Sequence, residues 1–204
     1  MIMFAEIYQD GQWRKVGKEF TSWWPELGEQ LTDRVCDELN NFFLLSVLGK
    51  DIGFMREYNI APINAQSGLP DDISAEVANA LYGKRTFYID FPNLFNYPWD
   101  KTICKEGYIT EWQYRRLKDQ NIAPVHIFKP KRLEDYDYKF ISPYQMDVII
   151  ANPSLRQKGH YYIKHEYDHT TLREQCAFFC THSMEKLLEL ALTSEVRILY
   201  SFGR

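Results

Sequence analysis

Two apolar-rich runs on either side of Asp10-Gly11 constrain this chain more than any other stretch of it. Met3-Phe4-Ala5-Glu6-Ile7-Tyr8 reads as an alternating strand, and Trp13-Arg14-Lys15-Val16 follows directly after the turn. An Asp-Gly pair accepts the positive backbone angles of a two-residue turn, so the chain opens on a β-hairpin. At the other end Glu195-Val196-Arg197-Ile198-Leu199-Tyr200-Ser201-Phe202 alternates as a closing strand. Helical patterns lie between them. The order implies an α+β fold in which terminal strands form an antiparallel sheet that carries packed helices. At 204 residues the chain can bury a core without disulfides or metals, and it reads as a single domain over 1–204 with a loop insertion at 129–143.

From about Gln30 to Leu48, Leu31, Val35, Leu39, Phe42, Phe43 and Val47 recur at helical spacing and Gly49 stops the run. Gly68-Leu69-Pro70-Asp71-Asp72-Ile73-Ser74 reads as a turn opening a helix from Ser74 to about Leu81. Asp71, Asp72 and Ser74 are residue types that cap helices and complement the N-terminal dipole. Pro92 interrupts the run from Tyr88 to Phe95, which favours a short helix starting near Asp90. Thr110-x-x-Gln113 and Thr171-x-x-Glu174 are capping boxes. The first predicts a helix to about Asp119; the second opens a long helix with Leu172, Cys176, Phe179, Cys180, Leu187, Leu188 and Ala191 on its apolar face. Met146 to Ala151 and His160 to His165 are expected to be strands.

A net charge of −4 argues against a non-specific DNA or RNA binder, which needs a basic face. It leaves room for a small anionic ligand, since one pocket needs only two or three cations. Most of the thirteen Phe, fourteen Tyr and five Trp are expected in the core, which leaves some surplus that could line a pocket. Cys36, Cys104, Cys176 and Cys180 do not form a secreted-domain framework and read as reduced thiols. No apolar run approaches a membrane span and the first residues carry no basic leader, so a cytoplasmic protein is expected.

His165-x3-His169, Cys176-x3-Cys180 and His182 have the spacing of a zinc cluster. Because both cysteines fall on an apolar helix face, core packing is the better reading, and neither metal nor cofactor is expected. No nucleophile elbow, Walker loop or dinucleotide fingerprint is present. Lys84-Arg85-Thr86-Phe87-Tyr88 sets two cations beside two rings, a combination suited to phosphate, though charged residues of this kind mostly face solvent. Arg156-Gln157-Lys158-Gly159-His160-Tyr161-Tyr162 is a second set of the same kind, in which Gly159 would allow a close backbone approach. A charged hairpin tip is its plainer reading.

Phe4-Ala5-Glu6-Ile7-Tyr8-Gln9-Asp10-Gly11-Gln12-Trp13 resembles the opening hairpin of a widespread family of tailed-bacteriophage proteins. Asn41-Phe42-Phe43-Leu44-Leu45-Ser46-Val47-Leu48, Gly68-Leu69-Pro70-Asp71-Asp72, Tyr88 through Trp99 and the closing strand are similar to further segments of that family. The chain departs from the family pattern at Asn40, Ser67 and Lys84-Arg85-Thr86-Phe87, where relatives carry other polar residues. These departures put inherited catalysis in doubt more than binding. Small accessory phage proteins of this kind resemble antagonists of bacterial nucleotide-signalled defence.

The resemblance implies a protein that sequesters a cyclic oligonucleotide or an ADP-ribose derivative in the host cytoplasm. In that reading Asn41 reads a base edge or orients the turn, Asp71 or Asp72 accepts from ribose, Lys84 and Arg85 hold phosphate, and Tyr88 or Trp99 stacks the base. The alternatives are a phosphodiesterase using Asp72 with His160 or His165, and an inhibitor gripping a host protein through exposed rings. Bulk nucleic acid and membrane are not expected partners; whether one subunit or two form the pocket is open.

Overall fold

Strand β1 (Ile2–Gln9) turns through Asp10 and Gly11, both with positive φ, into β2 (Gln12–Lys15), as the Asp-Gly signal requires. The computed structural model describes residues 2–16, 41–50, 53–129 and 137–202. The chain then runs through α1 (Phe42–Val47), α2 (Phe54–Glu57), β3 (Gln66–Ser67), α3 (Ala75–Leu81), β4 (Thr86–Asp90), α4 (Phe91–Phe95), β5 (Thr102–Thr110) and α5 (Glu111–Gln120). It continues through β6 (Tyr138–Ile141), α6 (Pro143–Ala151), β7 (His160–Thr171), α7 (Leu172–Gln175), a π-helical turn (Phe179–Ser183), α8 (Met184–Ala191) and β8 (Glu195–Ser201). The fold is α+β, and no helix among the described residues is long and apolar enough to cross a membrane.

The chain divides into two units: residues 1–103 with 170–204, and residues 104–169. In the first, five strands lie in the order β2-β1-β8-β4-β3, and the pairings of β8 with β1 and β4 are antiparallel. The terminal strands thus pair directly, as expected, and β8 is central. Met3, Ala5, Ile89, Val196, Ile198 and Tyr200 point to one face, where they pack with Leu44, Val47, Leu94, Trp99, Leu172, Cys176 and Leu187 from the helices. Phe4 and Leu199 point to the other face and pack with Val77 and Leu81 of α3.

In the second unit β7 lies between β5 and β6, with β6 parallel to β7. Ile109, Tyr161 and Ile163 pack on Tyr114 of α5 and Met146 of α6. The other face carries rings: Tyr108 meets Phe140 at 4.8 Å between centroids, and Tyr162 meets Tyr138 at 5.1 Å and Phe128 at 5.3 Å.

Several local expectations need correction. Met146 to Ala151 is helical, not a strand: Ser142 caps α6 in a full capping box with Gln145, and Pro143 supplies the fixed φ of a first turn. That end signal outweighs the β-branched run Val148-Ile149-Ile150. The helix ending near Leu48 does not run through Asn41, which is extended (ψ 112°) and caps a new start at Phe42; residues 17–40 lie outside the described residues. The supposed loop at 129–143 includes strand β6, while 130–136 lie outside the described residues. The last helix is interrupted: α7 stops at Cys176, and the π-helical turn precedes α8.

Candidate functional site

The sheet of the first unit separates the residues that the sequence reading places around one ligand. On the α3 face, Arg197 of β8 is 3% exposed and donates through Nε to Oε2 of the fully buried Glu6 at 2.9 Å. Its Nη1 donates to Oδ1 of Asp72 at 2.6 Å, and the indole N–H of Trp13 donates to Oδ2 at 2.9 Å. The guanidinium also lies 3.9 Å from the Trp13 ring centre. Its Nη2 lies 2.8 Å from Glu6 Oε2, but their angle is outside hydrogen-bonding geometry. Arg197, chiefly by its hydrogen bond, holds the Asp72 carboxyl below the usual range. Both Asp72 oxygens therefore already fasten the Gly68–Ser74 turn to the sheet, and neither is reserved for a ribose. The backbone N–H of Ser74 completes the link by donating to Glu6 Oε1 at 3.0 Å.

Tyr88 shares this face and donates its hydroxyl to Gln66. Arg85 instead lies 5.3 Å over Phe87, whose ring stacks on Tyr200 on the opposite face. Lys84 donates to the Ala80 carbonyl at 2.8 Å, closing the end of α3. Asn41 accepts from the N–H groups of Phe43 and Leu44, capping α1, and donates to the Gln175 carbonyl at 2.6 Å. Asp71 is exposed. Trp99 is 2% exposed, donates to the Leu94 carbonyl and lines an apolar cleft of about 430 Å³ with Tyr97, Cys180 and Met184. The bidentate Arg173–Asp100 pair stands at that cleft's edge. Neither this cleft nor the one below is lined by Asp71, Asp72, Lys84 or Arg85.

The residues named for hydrolysis belong to different units. Asp72 is in the first unit and both histidines are in the second. His160 and His165 lie five residues apart on β7, roughly 16 Å at strand rise and on opposite faces. Burial and His169 lower the proton affinity of His165. Cys176 and Cys180 are core residues, as the apolar-face reading holds.

What the structure does assemble is the second cationic set. A cleft of about 370 Å³ in the second unit is lined by Thr110, Glu111, Trp112, Arg115, Arg156, His160, Tyr161 and Tyr162. Thr110 caps α5 by accepting from the N–H of Gln113, leaving the N–H groups of Glu111 and Trp112 in the unpaired first turn. Arg156 grips Glu111 with two bonds, Nη1 to Oε1 at 3.0 Å and Nη2 to Oε2 at 2.5 Å. Arg115, one turn on, donates Nε and Nη2 to Glu111 Oε1 at 3.1 and 2.9 Å. These bonds, the Arg156 one foremost, hold the Glu111 carboxyl below its ordinary range. Arg156 packs 5.4 Å over Tyr161, and the Tyr161 hydroxyl ties down the Gln157 backbone.

Two guanidinium groups against one carboxylate leave the cleft net positive. Arg115 Nη1 and Arg156 Nε have no acceptor among the described residues. Trp112 is 63% exposed, its ring 4.5 Å below Arg116, and Tyr162 connects the cleft to the ring-bearing sheet face. Arg156, His160 and Tyr162 belong to the second cationic set of the sequence, whose plainer reading there is a hairpin tip, whereas Glu111 and Trp112 are the two residues between the capping pair Thr110 and Gln113. The overlooked signal was Glu111-x3-Arg115, an i,i+4 pair at a helix start beside a tryptophan.

The fold and cleft together define an α+β protein with a net-positive, ring-lined cleft at the start of a helix. No family model, curated protein or solved structure matches the chain.

Proposed function

We propose that this chain binds a small nucleotide in the cleft of its second unit and holds it without cleaving it. The observation that supports this reading is the convergence of Arg115, Arg156 and the first turn of α5 with two accessible rings, Trp112 and Tyr162. Phosphate oxygens take the open guanidinium donors and the free N–H groups of Glu111 and Trp112, charge-assisted bonds worth about 1.5–3 kcal/mol each. The base lies on Trp112, where stacking contributes about 1–3 kcal/mol. His160, exposed at the β7 start, lies within the same cleft and provides a further polar contact. The resemblance to tailed-phage proteins supplies the setting: a bacterial immune signal, cyclic oligonucleotide or ADP-ribose derivative, sequestered in the host cytoplasm.

Sequestration is favoured over hydrolysis because Asp72 is committed to Arg197 and Trp13, and the two histidines do not share a face. The test is calorimetric titration of the protein with cyclic dinucleotides, cyclic trinucleotides, ADP-ribose and cyclic ADP-ribose, followed by denaturation and chromatography of the ligand. One member should bind saturably and return intact, and Trp112→Ala should weaken it about 5–150-fold, the equivalent of the stacking energy. Turnover of that member would replace the sponge by an enzyme. Failure of the whole panel to bind more tightly than inorganic phosphate would remove the nucleotide.

A further inference from the structure

The open face of the second unit's sheet carries another group of side chains beyond the ring cluster. Cys104 of β5 and Glu166 and His169 of β7 each place one donor atom within 4.8 Å of the others. Strand periodicity alone would not bring them together: Glu166 and His169 are three residues apart and should point to opposite faces. Asp168 between them has φ 58°, a left-handed conformation within a strand. A break of this kind resets the alternation and re-aims the next side chain. The Asp168 carboxylate lies 2.8 Å from Lys105, on the side away from Cys104, so His169 falls on the Glu166 side. Lys164, also on the Cys104 face, pairs with Glu106 at 2.7 Å.

We propose that Cys104, Glu166 and His169 bind one divalent transition metal of the zinc class, with water as the fourth ligand. A thiolate, an imidazole and a carboxylate are the donor types zinc takes. Three protein ligands with an open position are the arrangement of reactive rather than purely structural zinc sites. In a tetrahedral site the donors would stand about 3.3–3.7 Å apart, from metal bonds of about 2.0–2.3 Å, so side-chain rotations closing the group by up to about 1.5 Å suffice. Cys104 is half-buried and the other two are exposed, so a metal has an approach from solvent. The group is distinct from the nucleotide cleft: Tyr162 and Glu166 are four residues apart on β7, about 13 Å. It is also not the spacing motif His165-x3-His169 with Cys176-x3-Cys180, since only His169 takes part and its partner thiol comes from β5.

The test is titration of reduced, chelator-treated full-length protein with cobalt(II), then displacement by zinc. The expected result is one cobalt per chain, with visible ligand-field bands of a tetrahedral site and a near-ultraviolet thiolate-to-cobalt band. Cys104→Ser should abolish the thiolate band, and His169→Ala, on the exposed surface, should weaken zinc binding at least tenfold. Circular dichroism verifies that each variant folds; should Cys104→Ser not fold, His169→Ala and Glu166→Gln decide the matter. No thiolate band in the wild type, a band persisting in folded Cys104→Ser, or zinc affinity unchanged in both His169→Ala and Glu166→Gln would each overturn the assignment.

Discussion

Arg197 carries its charge into the middle of a central strand and meets a carboxylate from β1 and another from the Gly68–Ser74 turn. Such a buried cation is tolerated because Glu6 and Asp72 take its N–H groups while Trp13 covers its plane. In the sequence Asp72 is a cap-type acid in an acidic turn; in the structure Ser74 caps α3, and the Asp72 oxygens accept from Arg197 and Trp13. Nothing in a single sequence pairs position 72 with position 197, because strand order decides it. The pH response follows from the geometry. Asp72 has its folded pKa depressed, so its contribution is complete above the unfolded value of about 3.9 and disappears as pH falls through the lower folded value. Asp72→Asn should therefore lower stability by about 0.5–1 kcal/mol near neutrality, discounted for the exposure of the carboxylate. Urea unfolding of both proteins at several pH values should show that gap shrinking as the pH falls below the unfolded value. A gap of constant size down to acid pH would mean that Asp72 acts by packing rather than charge.

Elements with end signals written in neighbouring residues were legible: the Asp10-Gly11 hairpin, the Thr110 box that starts α5, and the Ser74 cap of α3. Elements whose state depends on partners were not. Val148-Ile149-Ile150 has strand propensity, yet it is helical because Ser142 and Gln145 close a box ahead of it. The cleft was half legible for the same reason: Arg156, His160 and Tyr162 are contiguous, while Glu111 and Arg115 come from a helix some 45 residues earlier, a separation of which the Arg156–Glu111 bond is the measure. Gly159 illustrates the difference between a correct residue and a wrong cause. The close approach it permits is to its own chain: a Cβ there would stand 2.7 Å from the Asp137 carbonyl oxygen, and φ is 136°. Gly159→Ala must move β6 away from the start of β7 or strain the backbone, at about 1–3 kcal/mol. Denaturant unfolding should show that loss. Nucleotide affinity should fall as well, because His160 donates its N–H to the same carbonyl and its side chain lines the cleft. Unchanged stability would show that the β6 end yields freely.

At the scale of the whole chain, the first unit is completed only by the last strand. β8 lies between β1 and β4, and Val196 through Ser201 are all buried, so both halves of the sheet depend on the seven residues of β8. The terminal pairing was readable from two alternating segments, whereas the division at 103 and 170 was not: β5 and β7 run straight through those positions, leaving no linker composition to mark them. Pairing β1 with β8 joins residues 191 apart in sequence, as Glu6 and Arg197 are, so loop entropy is spent before those contacts form. A chain ending at Ser194 would leave β1 and β4 with facing unpaired edges and expose Met3, Ala5 and Ile89, apolar side chains now shielded on both sides. That truncated chain should fail to form the first unit, with slow-exchanging amides in β1 and β4 lost and the product prone to aggregate through its open edges. The second unit's core draws on residues 109–163 and contains no part of β8. Hydrogen exchange on the truncated chain therefore separates two outcomes: protection lost only in the first unit identifies β8 as its keystone alone, whereas protection lost throughout shows that the second unit folds only upon the first.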